Sequence, residues 1–163
     1  MLKPAILYKN EIEKHFAEVM YSDDYFYYTG YVHEHELPKV EPANNVYQWA
    51  IINSTNEVIG WFAYRIDPAN DNVYNFGLYS FDKGNALIGR DVFKKMEELI
   101  AHHRRIEWRV IDGNPVIRSY DKLCKRYNGH KVSFHKVTKG LDVIYRNKYV
   151  YEILSENEED KNE

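Results

Sequence analysis

The stretch VYNFGLYSFDKGNALIGRDVFKKMEELIAHHRRIEWRVID, residues Val73–Asp112, changes its hydrophobic period twice. It begins with a run rich in aromatic and β-branched side chains that ends in a turn cluster, which indicates a strand. Apolar residues then recur at intervals of three and four over Ile88–Ile100, which predicts an amphipathic helix with Asn85 as its N-cap. Strict alternation returns over Ile106–Val110 and predicts a second strand. A strand–helix–strand unit of this kind indicates a parallel crossover.

The sequence on either side adds antiparallel strands and two more helices. A hairpin joined by the turn STNE precedes the crossover, and two strands close the chain after it. The segments are a helix at Pro4–Met20, a short helix or turns followed by a loop at Tyr21–Asn45, hairpin strands at Val46–Asn53 and Val58–Ile66, a helix opened by Pro115 within Asn114–Tyr127, and strands at Lys131–Val137 and Lys148–Leu154. Gly77, inside the first crossover strand, predicts a bulge or a close approach of backbone. This order predicts an α+β fold, with a mixed, mainly antiparallel sheet and helices on both faces.

Length and charge limit what the chain does. Its 163 residues favour one domain, taken as 1–154, followed by an acidic and disordered tail at 155–163. The tail holds five acidic residues against one lysine, so the body is near neutral and does not predict nucleic-acid binding. No apolar run approaches the roughly 20 residues of a membrane span, and the first residues lack the apolar stretch of a signal peptide. Cys124 is the one cysteine, so a cytoplasmic protein is expected.

The segment GNPVIRSYDKL, Gly113–Leu123, carries a family resemblance. It resembles the segment after the fifth strand in the GNAT superfamily of acyl-CoA-dependent N-acyltransferases, in which an asparagine begins a helix and a tyrosine follows about six residues later. Asn114, Tyr120 and Lys122 stand close to the places of that pattern. The order of elements over Val46–Leu154 also matches the family, so the resemblance covers roughly the last hundred residues before the tail.

The turn KGNALIGRDV, Lys83–Val92, lies where this family has its pyrophosphate-binding loop. That loop usually reads Gln/Arg-x-x-Gly-x-Gly/Ala. Aligned on Gly89, this chain has Gly84 in the Gln/Arg place and Leu87 in the first glycine place. The leucine puts a side chain where the family brings backbone close to pyrophosphate. The N–H groups at a helix N-terminus remain a ready anion site.

The resemblance implies acetyl-CoA as co-substrate and a primary amine as acceptor. The pantetheine arm would pair with the strand edge at Leu78 and Tyr79, and a strand N–H would polarise the thioester carbonyl. Tyr120 would protonate the departing thiolate as general acid, and Asn114 would orient the amide arm or a water. The other residues implied to contact the co-substrate are Lys83, Gly84, Asn85, Leu87, Ile88, Gly89, Arg90 and Lys122.

Several of these residues keep a second interpretation. Tyr120 could simply pack on a helix face, and Asn114 could be a turn and cap residue before proline. No general base is assigned: Asp67 and a water relay both stay open. His33 and His35 would share one face of an extended segment, but two imidazoles in a loop are mostly surface residues, so no metal site is predicted.

The acceptor side and the rival function rest on other segments. The acidic and aromatic stretch DDYFYYTGYVHEHELP, Asp23–Pro38, is expected to form the acceptor wall and favours a cationic small amine or a peptide terminus.

The rival is a GNAT-shaped module that binds acyl-CoA or a protein partner without turnover, which Leu87 favours. Cys124 is interpreted as a buried small hydrophobe rather than a nucleophile. Edge strands such as Lys148–Leu154 could pair across a homodimer.

Overall fold

The computed structural model describes residues 1–19, 37–139 and 143–155. That part of the chain forms seven strands and three α-helices, with a short 3₁₀ turn at Ala5–Tyr8. The elements are β1 (Leu2–Pro4), α1 (Lys9–Val19), β2 (Val46–Ile52), β3 (Val58–Asp67), β4 (Asn72–Ser80), α2 (Ala86–His102), β5 (Arg105–Ile111), α3 (Ile117–Arg126), β6 (His130–Lys139) and β7 (Tyr145–Leu154). The acidic tail from residue 156 onwards and most of the predicted acceptor wall lie outside the described residues.

The seven described strands form one sheet in the order β1-β2-β3-β4-β5-β7-β6. Neighbouring strands are antiparallel except β4 and β5, which are parallel. The mixed, mainly antiparallel sheet and its parallel crossover through α2 are therefore confirmed. The prediction that Lys148–Leu154 is an edge strand is wrong, because β7 pairs with β5 on one side and with β6 on the other. In the described part of the chain, β6 forms that end of the sheet.

Helices pack on both faces of the sheet, as predicted. Helices α2 and α3 cover one face, where Val92 and Leu123 share a core with Trp108 of β5. Helix α1 covers the other face over the N-terminal strands, where Ile12 and Phe16 are fully buried in a second core. Burial of aromatic and aliphatic side chains on both faces is the main force that holds these three layers together.

Two helices begin later than predicted. The first begins at Lys9 rather than Pro4, because β1 pairs Leu2 with Ile51 and the 3₁₀ turn follows before the α-helix starts. The third begins at Ile117 rather than at Pro115, which lies in a turn. Asn114 forms that turn, since its carbonyl oxygen accepts the N–H of Ile117 at 3.1 Å.

The parallel strands β4 and β5 stay together for only two residue pairs. Asn72 faces Arg105 and Val73 faces Ile106, and no further pair forms between these two described strands. The pairing of β3 with β4 also shifts here: Ala63 lies opposite Gly77 while Arg65 lies opposite Tyr74, so β4 carries one extra residue. A β-bulge bends its strand and increases its twist, which turns β4 away from β5.

Gly77 and Asn75 belong to this bulged segment of β4. Asn75 takes a φ of 54°, a left-handed conformation that asparagine tolerates better than most residues. A Cβ on Gly77 would lie 2.7 Å from a ring carbon of Trp61, so only glycine lets the indole of β3 pack against this strand. The predicted bulge is present, and the group that approaches Gly77 closely is the Trp61 side chain rather than backbone.

Candidate active site

A cavity of about 840 Å³ opens between β4 and β5 where the two strands part. Consecutive residues of β4, Phe76–Ser80, and of β5, Glu107–Ile111, line it, so both strand edges border the cavity. The start of α2, the turn before α3 and the end of β6 complete its walls. A slot between two strand edges offers backbone N–H and C=O groups to an extended ligand.

Most of the residues expected to act in catalysis or co-substrate binding meet at this cavity. The lining residues among them are Leu78, Tyr79, Gly84, Asn85, Ile88, Gly89, Asn114 and Tyr120. The remaining expected residues, Lys83, Leu87, Arg90 and Lys122, do not line it. The sheet thus brings together β4, the turn into α2 and the turn into α3, which are distant in sequence.

The N-terminus of α2 is capped from within. Asn85 Oδ1 accepts the N–H of Leu87 at 3.0 Å, which confirms the N-cap prediction, and the Asn85 carbonyl accepts the N–H of Ile88 at 3.2 Å. The Leu87 side chain is 38% exposed and does not fill the cavity. A Cβ on Gly89 would meet no atom within 4 Å. The first turn therefore borders open space, but two of its N–H groups already have partners.

Tyr120 projects from α3 into an aromatic layer beneath the cavity. It is 6% exposed, and its ring centroid lies 5.6 Å from those of both Phe93 and Trp108. Tyr151 of β7 stacks on Trp108 at 5.2 Å and contacts the Tyr120 ring at 5.8 Å. Tyr120 is therefore a packed core residue and a cavity-lining residue at once, so the two interpretations from the sequence do not exclude each other.

The hydroxyl group of Tyr151 has a structural role. It donates a hydrogen bond to Asp121 Oδ1 at 2.8 Å, and Lys131 Nζ lies 2.7 Å from the same oxygen. Burial and this hydrogen bond raise the pKa of Tyr151 far above its ordinary value. Burial also raises the pKa of Asp121, but the hydrogen bonds from Lys131 and Tyr151 outweigh that effect and lower it overall. Tyr151 therefore stays protonated and anchors β7 to α3.

Asn114 presents the polar end of the turn into α3. Its Oδ1 accepts the N–H of Val116 at 3.0 Å, which is the turn role that the sequence allowed, but the N-cap residue of α3 is Val116 and no side chain caps that helix. Asn114 also lines the cavity, and with the oxygen engaged its Nδ2 is the group that can donate to a ligand. One residue thus serves both the turn and the cavity.

Charged side chains on β5, β6 and β7 also line the cavity, and the sequence did not assign them a role. They are Glu107, Arg109, Lys139 and Lys148. Glu107 is the one carboxylate among the described residues of the lining, and its Oε2 lies 2.7 Å from Arg105. Alternation in the fifth strand already separated Glu107 and Arg109 from the core residues, but nothing local showed that a cavity opens beside them.

The other candidate groups lie elsewhere. Asp67 is the last residue of β3, where hydrogen bonds from Asn70 and Ala69 lower its pKa, and it does not line the cavity. Cys124 is buried, and burial raises the pKa of its thiol, as suits a packed side chain rather than a nucleophile. His33 and His35 lie outside the described residues, which themselves contain no cluster of three or more metal-binding side chains. No described helix is long and apolar enough to cross a membrane.

Solved structures share this architecture, although no protein-family model and no curated sequence matches the chain. An N-acetyltransferase from Staphylococcus aureus Mu50 superposes with a TM-score of 0.67 at 14% identity, covering 94% of this chain and 97% of that one. A probable GNAT-family acetyltransferase from Chromobacterium violaceum ATCC 12472 gives 0.63 at 13% identity, over 94% and 81%. A GCN5-related N-acetyltransferase from Brucella melitensis gives 0.61 at 18% identity, over 94% and 74%. This chain has the fold of the GNAT N-acetyltransferases.

Proposed function

We propose that the protein transfers an acetyl group from acetyl-CoA to a primary amine. The observation that carries the proposal is the cavity between the diverging strands β4 and β5 in a chain with the GNAT fold. Residues from three separate elements that the resemblance assigned to catalysis and co-substrate binding line this one cavity. A fold alone does not establish an activity, so the chemistry of the lining residues has to support the proposal.

The chemistry of the cavity lining supports an acyl-CoA arm as the ligand. The β4 edge at Leu78 and Tyr79 offers backbone hydrogen bonds for the pantetheine amides. Gly89 leaves open space at the first turn of α2, where a helix N-terminus favours a pyrophosphate. Asn114 Nδ2 would donate to an amide carbonyl of the same arm. These residues would hold the co-substrate with its thioester between the two strands.

The reaction then needs two proton transfers. Acetyl-CoA supplies an activated acetyl group; the amine nitrogen bonds to its carbonyl carbon while the carbon–sulfur bond breaks and the electron pair leaves on sulfur. Tyr120 would give a proton to the thiolate, since a phenol and a thiol have ordinary pKa values within about two units of each other. Glu107 would take the proton that the amine loses, directly or through a water, because it is the carboxylate in the described cavity lining.

Thiol release tests the proposal directly. Acetyl-CoA is incubated with the protein and a panel of primary amines, and free CoA is measured with a thiol reagent while mass spectrometry follows the acetylated amine. Tyr120→Phe should lower kcat about a hundredfold or more, with the acetyl-CoA dissociation constant nearly unchanged. Tyr127→Phe is the matched control, because Tyr127 is a partly buried tyrosine at the C-terminal end of the same helix that does not line the cavity. Full activity in Tyr120→Phe would exclude Tyr120 as the acid.

The rival is a GNAT-shaped module that binds acyl-CoA without turnover. One observation favours it: the cap formed by Asn85 uses the N–H groups of Leu87 and Ile88 that an anion would otherwise bind. A melting temperature that rises with acetyl-CoA while no amine is acetylated would support this module. No change in melting temperature at millimolar acetyl-CoA would reject both functions, because a ligand that binds the folded state must stabilise it.

A further inference from the structure

The sheet face opposite α2 and α3 carries a row of charges beside the cavity. Ile106, Trp108 and Val110 of β5 lie in the core with α2 and α3, so alternation puts Arg105, Glu107 and Arg109 on the other face. On β7, Tyr149, Tyr151 and Ile153 belong to the same core, so Lys148 and Glu152 also lie on the opposite face. The charged residues thus share the face that α1 covers only over the N-terminal strands.

Most of these charged side chains form ion pairs with one another. Glu107 lies directly opposite Glu152 in the β5–β7 pairing, a like-charge arrangement that is unfavourable by itself. Arg105 resolves it, because its guanidinium lies 2.7 Å from Glu107 Oε2 and 2.6 Å from Glu152 Oε1. The other carboxylate oxygen of Glu107, Oε1, lies 4.0 Å from Arg109 Nη2, which is a long contact for an ion pair. Arg105 therefore neutralises one of the two carboxylate charges beside the cavity, and Arg109 is left with a long, weak contact to Glu107.

Lys148 is the second cation without a close anion. It is partly buried, its ammonium lies 5.9 Å from the centre of the Phe134 ring, and no described carboxylate forms an ion pair with it. In the β5–β7 register Arg109 pairs with Val150 and Lys148 pairs with Ile111, so Arg109 and Lys148 are diagonal neighbours on one face. Their Cβ atoms lie about 7–8 Å apart in such an arrangement, close enough for both cations to reach one anion.

We infer that Arg109 and Lys148 bind an anionic group of the acceptor, a carboxylate or a phosphate, and so set the acceptor class. The inference rests on the proposed function, which it extends by naming that class. Both side chains line the cavity, and Lys139 at the end of β6 adds a third positive charge to its rim. Arginine and lysine without close carboxylates are the groups that recognise phosphate and carboxylate in proteins.

The position of this site separates it from the co-substrate. Helix α2, whose N-terminus would face the pyrophosphate, packs on the opposite face of the sheet from Arg109 and Lys148. Glu107 and Arg109 are two residues apart on one strand face, a separation of about 6–7 Å. An amine held near Glu107 and an anion held near Arg109 therefore belong to one small molecule with a few bonds between the two groups. Short amino acids and phosphorylated amino alcohols carry an amine and an anionic group separated by a few bonds.

Matched acceptor pairs test the inference. β-Alanine is compared with β-alaninamide, and O-phosphoethanolamine with ethanolamine, so that each pair differs mainly in the anion and the two pairs separate carboxylate from phosphate. We expect kcat/KM to be 10-fold to 100-fold higher for the anionic member of at least one pair. In Arg109→Gln and in Lys148→Gln this ratio should fall about 5-fold to 20-fold, mainly through KM, and Lys148→Glu should bring it to one or below.

Control variants and a binding measurement make each outcome decisive. Lys94→Gln, an exposed lysine of α2 outside the cavity lining, should leave the ratio unchanged. Equal kcat/KM within both pairs, or a preference for a polyamine that the variants do not alter, would overturn the inference. If no amine is acetylated, calorimetric titration of β-alanine and O-phosphoethanolamine into CoA-saturated protein decides: binding lost in Lys148→Glu supports the anion site without the transferase, and no binding rejects the site.

Discussion

Replacing Gly89 by leucine should stabilise the fold and weaken acetyl-CoA binding at the same time. Gly89 occupies the fourth position of α2, and a Cβ there would meet no protein atom within 4 Å. Glycine in a helix costs about 1 kcal/mol relative to alanine, and leucine is nearly as good a helix former as alanine, so Gly89→Leu should raise the free energy of unfolding by nearly that amount. For a chain of this size the melting temperature should rise by about 2–4 °C.

The same side chain would enter the space proposed for the pyrophosphate. Gly89 lines the cavity, and the family loop accepts glycine or alanine at this place, whereas the larger leucine side chain would crowd a bound group at a cost of about 1–3 kcal/mol. The acetyl-CoA dissociation constant should therefore rise about 5-fold to 150-fold. Differential scanning fluorimetry without ligand measures the first effect, and calorimetric titration of acetyl-CoA measures the second. Ala101→Gly, at an exposed position in the last turn of α2, should lower stability without changing affinity.

The opposite signs of the two effects make this variant informative. A stabilised Gly89→Leu that binds acetyl-CoA as tightly as the native chain would refute the pyrophosphate site at α2, because the open space would then be unrelated to the ligand. A destabilised variant would show that the new side chain clashes with protein atoms, and so that the first turn of α2 does not border open space. A general loss of folding cannot mimic the expected result, since only a site-specific clash lowers affinity while stability rises.

Three further substitutions test the framework around the cavity. Asn85→Ala removes the cap of α2 and should lower the free energy of unfolding in urea by about 1 kcal/mol, and Asn85→Ser should recover most of it. Gly77→Ala forces a methyl against Trp61 and should cost about 1–3 kcal/mol in the same assay; an unchanged urea midpoint would contradict that contact. The hydrogen bond from His103 lowers the pKa of Asp71, so this carboxylate stabilises the fold above its unfolded pKa of about 3.9 and loses that effect as pH falls through its lower folded pKa. Asp71→Asn should therefore lower the melting temperature at pH 7 by less than about 4 °C, with the difference shrinking as pH falls below about 3.9, and a difference that stays constant over that fall would be contrary evidence.

The elements with a clear local period could be predicted from sequence. In the crossover from β4 through α2 to β5, the helical period and the strand alternation are both visible in consecutive residues. The Asn85 cap is equally local, because its hydrogen bond joins two residues that are two positions apart in sequence. β1 could not be predicted, because a three-residue strand has no measurable period and its partner is β2, across α1 and the following segment. The edge position of β6 was missed for a similar reason: strand order depends on tertiary pairing that sequence periodicity does not encode.

The charged side of the cavity depends on contacts that are not local in sequence. Arg109 and Lys148 become neighbours only through the pairing of β5 with β7, so neither residue looks special in its own strand. A bulge in β6 contributes in the same way: between Phe134 and Thr138 the β6 strand advances four residues while β7 advances two. Lys136 takes a φ of 49° there, and its N–H donates to Asn147 Oδ1 at 3.0 Å. The residues after this bulge, 137–139, line the cavity.

The gap between β4 and β5 is built by packing on each side of it rather than by a ligand. On one side, the indole of Trp61 occupies the place of a Gly77 side chain and holds β4 against β3. On the other side, the stacked rings of Trp108 and Tyr151 hold β5 against β7, and Tyr120 of α3 packs on both. In the described sheet, two residue pairs join β4 to β5 directly. Helix α2 packs on both sides of the gap within one core, and the Phe76 ring of β4 contacts Trp108 of β5 at 6.5 Å, so closing the gap would require this shared core to repack.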